Sequence, residues 1–463
     1  MATAGSSSSA ASSLPRDWRR RSADVGGLHL ALAASSSSVR AGWGGEGGDI
    51  ETMYAELLSD MYNETLNSVN DNSLVSPPPP IPENVRDRLI RGLDKWDFEP
   101  HKLPDEEVLA STLLLFEALF RIDGMEDDVS LTMEQITAFI HHLRRIYRYE
   151  NKYHNFEHAL DVLQATQSYL KSAGLVPPPI ILLQPADRRW VPPKFASGSL
   201  IASLGKRELF MLYVSAIGHD VGHPGFSNMF MKNAQAPLVV LFNHGSALEH
   251  MHCHLLLCMM RYHGFGVLLD DPLHGKHLRK LVHKSVLATD MGVHGKFMET
   301  LKSVVDGEQM SVCERQIVLC QAILKNADIS NPVSTLSKHW ATALIHEWTA
   351  QAHLEESYHL QQTVPVSFAS YDPIKEADSQ IFFIRTFARP LLELTQRAIP
   401  EMQMYTWHCR KNLEEWAGAW EEACSSSSEA SPSRQCSPVM SPDPRSPPLP
   451  FQYHTAFPLT LPP

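Results

Sequence analysis

Apolar residues recur at three- and four-residue spacing over 106–120, 132–147, 156–170, 206–218, 247–262 and 312–324, with Pro, Gly and Asp gathered between the runs. That period predicts helices. The alternating apolar–polar pattern of strands is nearly absent, so residues 83–423 are expected to form a single large all-α domain of many helices. From 49 to 69, Met53, Leu57, Met61 and Leu66 stand at roughly helical spacing. They predict a short amphipathic helix, more simply packed on its own domain than on a partner. Five prolines in 76–82 then act as a linker or stop, so 49–82 reads as short helix plus Pro-rich linker. Residues 174–198, rich in Pro and carrying Arg188, Arg189 and Trp190, are too long for an ordinary helix connection and read as a surface insertion.

Composition changes this picture at the two ends. Hydrophobic content of 43% over 463 residues is that of a globular chain, but it is unevenly spread. Residues 1–48 are rich in Ser, Ala and Gly, and 424–463 in Ser and Pro, so both are expected to be disordered tails. The 40 Lys and Arg stand against 52 Asp and Glu, a net charge of −12, with no basic stripe interleaved with aromatics. A nucleic-acid groove is not expected. Seven scattered cysteines without a CxxC pair read as reduced thiols in an intracellular protein. No apolar run approaches the length of a membrane span, and the N-terminus lacks a signal-peptide pattern, so a soluble, cytoplasmic protein is expected.

Three short elements carry chemistry. In Tyr153-His154-Asn155-Phe156-Glu157-His158 the histidines are four apart, on one helix face or at its N-terminal edge. Alone, such a pair is more often structural. His219-Asp220-Val221-Gly222-His223-Pro224-Gly225-Phe226-Ser227-Asn228 follows the apolar run 209–217, so an imidazole and a carboxylate emerge together at the buried end of a helix. Burying both is costly unless they bind a cation or each other. Imidazole with carboxylate suits Zn²⁺, Mn²⁺ or Fe, while carboxylate and water suit Mg²⁺. In Asn326-Ala327-Asp328-Ile329-Ser330-Asn331-Pro332, Asp328 ends an apolar helix, where an ordinary C-terminal turn is the plainer reading. Together the three elements make a divalent-metal hydrolase plausible.

In this order the three elements resemble the class I cyclic-nucleotide phosphodiesterases, and in detail the fungal high-affinity cAMP enzymes. The resemblance runs from about Val85, through Trp96-Asp97-Phe98, to about Trp420, and His219-Asp220-x-x-His223-x-x-x-x-Asn228 carries it most specifically. It implies a two-metal site at the base of a deep pocket. His158, His219, Asp220 and Asp328 would bind Zn²⁺, and Asp220 would bridge to Mg²⁺ or Mn²⁺. His223, Glu249, Thr289 and Asp290 would orient the second ion's waters. It further implies attack of a metal-bridged hydroxide on a 3′,5′-cyclic nucleotide, cAMP or also cGMP, with His154 as the unligated general acid for the departing O3′. Gln380 and Phe383 would hydrogen-bond and stack the purine, opposite Leu344 and beside Asn331. Outside the resemblance, ordinary packing is the reading for each of these four.

Several positions depart from the family pattern: Gly222 where a second Asp is usual, Met251 for His, Lys152 for Pro, Gln351-Ala352-His353-Leu354-Glu355 for Gln-Gly-Asp-x-Glu, and Phe382 for a small residue. They bear on pocket shape rather than on the metal core. Two other functions compete: an HD-type metal phosphohydrolase on other nucleotides, and an inactive cyclic-nucleotide-binding scaffold. The joint presence of 153–158, 326–332 and 380–383 argues against the first, and the intact ligand set against the second. In the N-terminal tail Arg19-Arg20-Arg21-Ser22 fits a basophilic kinase site, which would make a cAMP-dependent kinase acting on Ser22 a partner, against a chance basic run. Ser437, Ser441 and Ser446 precede Pro and fit proline-directed sites.

Overall fold

Each apolar run picked out by its spacing folds as a helix, with ends within four residues of the expected ones. In chain order the helices are α1 Glu83–Leu93, α2 Asp105–Leu119, α3 Met133–Ile146, α4 Phe156–Ser172, α5 Lys206–Gly218, α6 Ala247–Tyr262 and α7 Gly275–Leu287. They continue as α8 His294–Val305, α9 Val312–Asp328, α10 Ser337–Ser357, α11 Pro373–Phe383, α12 Arg389–Ala398 and α13 Gln403–Ala430. This computed structural model describes residues 65, 67–69, 81–196, 199–236, 238, 239, 242, 245–333, 337–364 and 372–430. Among the described residues there is no strand. The sole β-type pairing is an isolated bridge between Ile122 and Trp190. The fold is all-α, as the hydrophobic pattern requires.

Local signals set several starts. Thr132 and Gln135 close a capping box on α3, and Ser311 and Glu314 close another on α9. Asn155 caps α4 by accepting the His158 N–H at 3.0 Å, so the residue between the two histidines of the first motif has a structural task. Helix α5 is buried along 209–218, as expected of a helix apolar nearly all round.

Helices α4, α5, α7 and α9 pack together at the centre, and α6 lies against α5 and α7. Gly218, the last residue of α5, permits the α5–α6 approach, because a Cβ there would lie 2.4 Å from Leu256 Cδ1. All five of these helices bring a polar end or first turn to the same region: His158 from α4, His219 from the end of α5, Glu249 from α6, Thr289 after α7 and Asp328 from the end of α9. The fold thus gathers residues up to 170 positions apart around one point.

The segment 174–198, expected as a surface insertion, packs over its first half, while 184–189 and 191–194 are exposed. Leu175, Val176, Ile181 and Leu182 are buried, the Gln167 amide donates to Pro177 O at 2.8 Å, and the backbone of Trp190 bonds to Arg121 and Asp123. Its prolines hold an extended path across the domain, and its apolar residues supply the reason to stay there. The last helix runs to Ala430, past residue 424 where a disordered tail was expected to begin. Thr65 and residues 67–69 are helical, with Thr65 and Val69 buried. The rest of that expected helix, the tail 1–48, Ser22, and Ser437, Ser441 and Ser446 lie outside the described residues.

Candidate active site

His158, His219, Asp220 and Asp328 converge so that one donor atom from each lies within 4.8 Å of all the others. His158 Nε2 is 3.3 Å from Asp328 Oδ1 and 3.8 Å from Asp220 Oδ2. His219 Nε2 lies 3.1 Å from Asp220 Oδ2 and 3.2 Å from Asp328 Oδ1, yet it is aligned to hydrogen-bond with neither. On its other side, His219 Nδ1 pairs with Ala216 O at 2.9 Å. A carbonyl can only accept, so Nδ1 carries a hydrogen and Nε2 is the ring atom left to face the two carboxylates. Two imidazole nitrogens and two carboxylates converging on one point suit a divalent cation, and otherwise a protonated His219 offsets the carboxylate charge.

The surrounding backbone is pinned. The Tyr147 hydroxyl donates to Ile217 O at 2.9 Å and accepts the Asp220 N–H at 3.3 Å, fixing the end of α5. Gly222 then turns with φ +74°, a left-handed conformation suited to glycine. A Cβ there would also meet Leu255 Cδ1 at 2.7 Å, so Asp at this position would be strained and crowded. In the ion-free protein the charges compensate each other. Burial would lower the His219 pKa, but Asp220 beside it raises it well above the ordinary imidazole value. Burial would raise the Asp328 pKa, but His158 and His219 hold it far below the carboxylate range.

His154 stands next to this cluster without belonging to it. Its Nδ1 pairs with Glu347 Oε1, and its backbone N–H donates to Glu347 Oε2 at 3.2 Å. Its ring stacks on His223 at 3.8 Å and 17°. Asn151 locks the pair from behind, donating to the carbonyls of both His154 and His223 at 2.9 Å. Burial would lower the His154 pKa, but Glu347 outweighs it and raises the imidazole to about 9. Burial would raise the Glu347 pKa, and His154 instead brings it down to about 2. His154, His223 and Glu347 also bring three donor atoms within 4.8 Å. Parallel stacked rings do not converge on one ion, and His154 is protonated by its partner, so this is an ion pair.

That pair has a predictable pH signature. The raised His154 pKa contributes stability that is complete below 6.5 and lost as pH rises through about 9. The lowered Glu347 pKa contributes stability present above 4.5 and lost as pH falls through about 2. Glu347→Gln therefore destabilises most between these limits, by about 2 kcal/mol near pH 6 as expected for a buried charge-assisted bond. The difference from wild type shrinks above pH 9, which melting curves across pH will show.

A second set of polar groups lies beside the cluster. His252 Nε2 is 4.0 Å from Asp220 Oδ1, and its Nδ1 pairs with Val221 O at 2.8 Å. Met251, the departure from a usual His, is core, and the neighbouring His252 is the one that faces Asp220. Asn228 donates to both Glu249 oxygens at 3.2 and 2.9 Å. Burial and nearby Asp290 push Glu249 up to about 8. Thr289 donates to Val286 O at 2.8 Å, and Asp290 accepts from Ser246 Oγ at 2.6 Å.

Of the residues expected around the purine, Asn331 donates to Tyr153 OH at 2.9 Å, and Leu344 packs with Tyr153 and Trp340, one residue from His154. Gln380 and Phe383 stand one turn apart on α11, hence on one face, just before a π-helical turn Ile384–Ala388 of the kind that recurs at functional sites. Among the described residues no hydrogen bond or ring contact ties either to the His/Asp cluster, and Phe383 rests on Phe387 with ring centroids 5.6 Å apart. The departures lie off the metal cluster: Lys152 and His353 are exposed, while buried Gln351 bonds Glu355, Thr363 and the Ser227 N–H. Glu347, Asn151, Tyr147 and His252 are site residues that sequence reasoning missed.

The family described as 3′5′-cyclic nucleotide phosphodiesterase matches residues 153–409. Similar curated proteins include the 3′,5′-cyclic-nucleotide phosphodiesterase regA of Dictyostelium discoideum, 27% identical over 347 residues, 73% of this chain and 39% of that protein. The human high affinity cGMP-specific 3′,5′-cyclic phosphodiesterase 9A is 25% identical over 342 residues, 72% of this chain and 51% of that protein. The chain thus spans 39% and 51% of the length of these two relatives. Among solved structures, yeast caPDE2 superposes with a TM-score of 0.61 at 26% identity, covering 80% of this chain and 75% of that one.

Proposed function

The chain belongs to the 3′5′-cyclic nucleotide phosphodiesterase family, and from that premise we propose that it hydrolyses 3′,5′-cyclic AMP, and also cyclic GMP, to the 5′-monophosphate. The observation that carries the reading is the convergence of His158, His219, Asp220 and Asp328 on one point, with a protonated imidazole, His154, alongside. His158, His219, Asp220 and Asp328 would hold Zn²⁺. The other Asp220 oxygen, on the His252 side, would face Mg²⁺ or Mn²⁺, with His223, Glu249, Thr289 and Asp290 orienting its waters. When bound, such ions supply Lewis acidity that neutralises the cyclic phosphate and acidifies the attacking water.

The chain's own groups do the rest. The attacking water gives one proton to solvent, the resulting hydroxide oxygen bonds to phosphorus as the P–O3′ bond breaks in line, and His154 gives its Nε2 proton to the departing O3′. Glu347 keeps the acid charged and aimed by holding Nδ1. Asn151 and the His223 stack set its distance from the cluster. Gln380 would bond the purine edge and Phe383 stack on it, with Leu344 opposite and Asn331 beside.

Purified chain with Mg²⁺ or Mn²⁺ converts cAMP to 5′-AMP on this reading, and no turnover of any cyclic nucleotide would sink it. A glutamine amide pairs with adenine or guanine after rotating, so the residues favour neither base by themselves. The cAMP preference rests on the resemblance to fungal cAMP enzymes alone, whereas the human relative is cGMP-specific by name. Comparing kcat/KM for the two nucleotides decides it. Gln380→Ala should raise KM for the preferred nucleotide about tenfold, the loss of one net hydrogen bond of about 1.4 kcal/mol. An unchanged KM removes Gln380 from the base site.

A further inference from the structure

Lys325 is fully buried, which is rare for an ammonium. It sits on α9, three residues before Asp328, and is no part of the chemistry above. Among the described residues the hydrogen bonds of its ammonium go to one loop: Nζ donates to Ala288 O at 2.6 Å and to Asp290 O at 3.4 Å, and lies 3.7 Å from Met291 Sδ. None of these is a carboxylate, so a simple ion pair does not account for the burial. The loop leads on. Asp290 accepts from Ser246 Oγ at 2.6 Å and from the Gly292 N–H at 2.7 Å, and Ser246 begins α6, whose first turn carries Glu249. The signature residue Asn228 holds Glu249 and also accepts the Leu248 N–H at 3.1 Å.

A single chain of bonds therefore runs from α9, which ends in Asp328, through Lys325 to the 288–291 loop, and through Ser246 to the acid-bearing start of α6. We propose that Lys325 is a positioning residue: its ammonium clamps the 288–291 loop to α9 and so fixes Thr289, Asp290 and Glu249 at the spacing from Asp328 that a second divalent cation and its waters require. Burial lowers the Lys325 pKa to about 8, and the carboxylates of Asp328 and Asp290 at longer range help keep the ammonium charged near neutral pH. The inference rests on the functional reading above for the second ion, and deepens it by naming what holds that ion's water shell in place.

The test uses the whole chain and Mn²⁺ as probe, with free Mn²⁺ read by EPR in the absence of nucleotide. Lys325→Met replaces the ammonium with an apolar group of similar length. It should melt no lower than wild type, retain the tightly held ion, and bind its second Mn²⁺ about 10- to 100-fold more weakly, the range for groups that orient metal ligands. In turnover, kcat at fixed Mn²⁺ falls while KM for the nucleotide moves little. Should Lys325→Met fail to fold, Ser246→Ala cuts the same chain at its far end and should weaken the second Mn²⁺ in the same direction. Unchanged Mn²⁺ affinity in the folded variant overturns the proposal. So does tighter binding, which would show the lysine acting only as a repelling charge. A wild type that holds one Mn²⁺ also overturns it. A wild type that binds two but turns over no cyclic nucleotide defeats the functional reading and leaves the positioning role standing.

Discussion

His154→Ala should lower kcat by about 10² to 10⁴-fold, the range for removing a positioned general acid, while the chain keeps its metal. The separation of effects follows from geometry. His154 donates nothing to the cluster of His158, His219, Asp220 and Asp328, and its ring centroid lies 6.3 Å from that of His158. Its removal strands Glu347, but that carboxylate still accepts the backbone N–H groups of Tyr153 and residue 154 at 3.1 and 3.2 Å. The variant should therefore fold. Wild-type activity should fall as pH rises through about 9, because Glu347 holds the acid protonated up to that point. In His154→Ala this basic limb disappears. Metal analysis beside single-turnover rates checks both halves, and loss of metal with loss of rate would make His154 a ligand instead of an acid.

The metal-capable cluster was legible in sequence only when the three motifs were read together and against the family pattern: each member sits at a helix terminus with local punctuation, Asn155 before His158, Gly222 after Asp220 and Pro332 after Asp328, but the histidine pair and Asp328 taken singly read as structural. Local spacing thus marks residues placed by their own helix. Glu347 had no such mark. It is one of three carboxylates in a 21-residue helix, 193 positions from the histidine it orients, and only tertiary packing joins them. Helical arithmetic held a weak clue, since Trp340 and Leu344 are seven and three residues before it and so share its face. His252 was likewise open to inference at three residues after Glu249, and Lys325 as the one charge inside the apolar run 317–327. Both required weighing a polar residue against the helix around it.

The packing of 174–198 shows the converse limit. Proline density correctly excluded a long helix, yet it says nothing about burial. The fate of its first half is set by residues such as Ile181 and Leu182, in the turn Pro179–Leu183 that packs on α1 and α2 some 60 to 100 positions upstream. A chain without helical period can still be core when its apolar residues meet a matching face.

Asp328→Ala should cost most of all, because on the proposed reading it removes both a metal ligand and the charge that sets the others. Without it, His158 Nε2 loses its nearest acceptor at 3.3 Å, and His219 Nε2 keeps one carboxylate instead of two. Three donors remain, but their shared geometry was closed by the end of α9. The tightly held ion should fall from near one per chain to a small fraction after dialysis. Lewis acidity contributes several kcal/mol, so kcat should drop by about 10³-fold or more. Acid sensitivity changes too. Asp328, held far below the carboxylate range, contributes stability present above its ordinary pKa and lost as pH falls, so the ion-free variant should lose less stability between pH 4 and 2 than the ion-free wild type. Unchanged zinc in Asp328→Ala would take the residue out of the ligand set. Unchanged turnover would remove it from the reaction, and with it the convergence of α4, α5 and α9 on which the site is built.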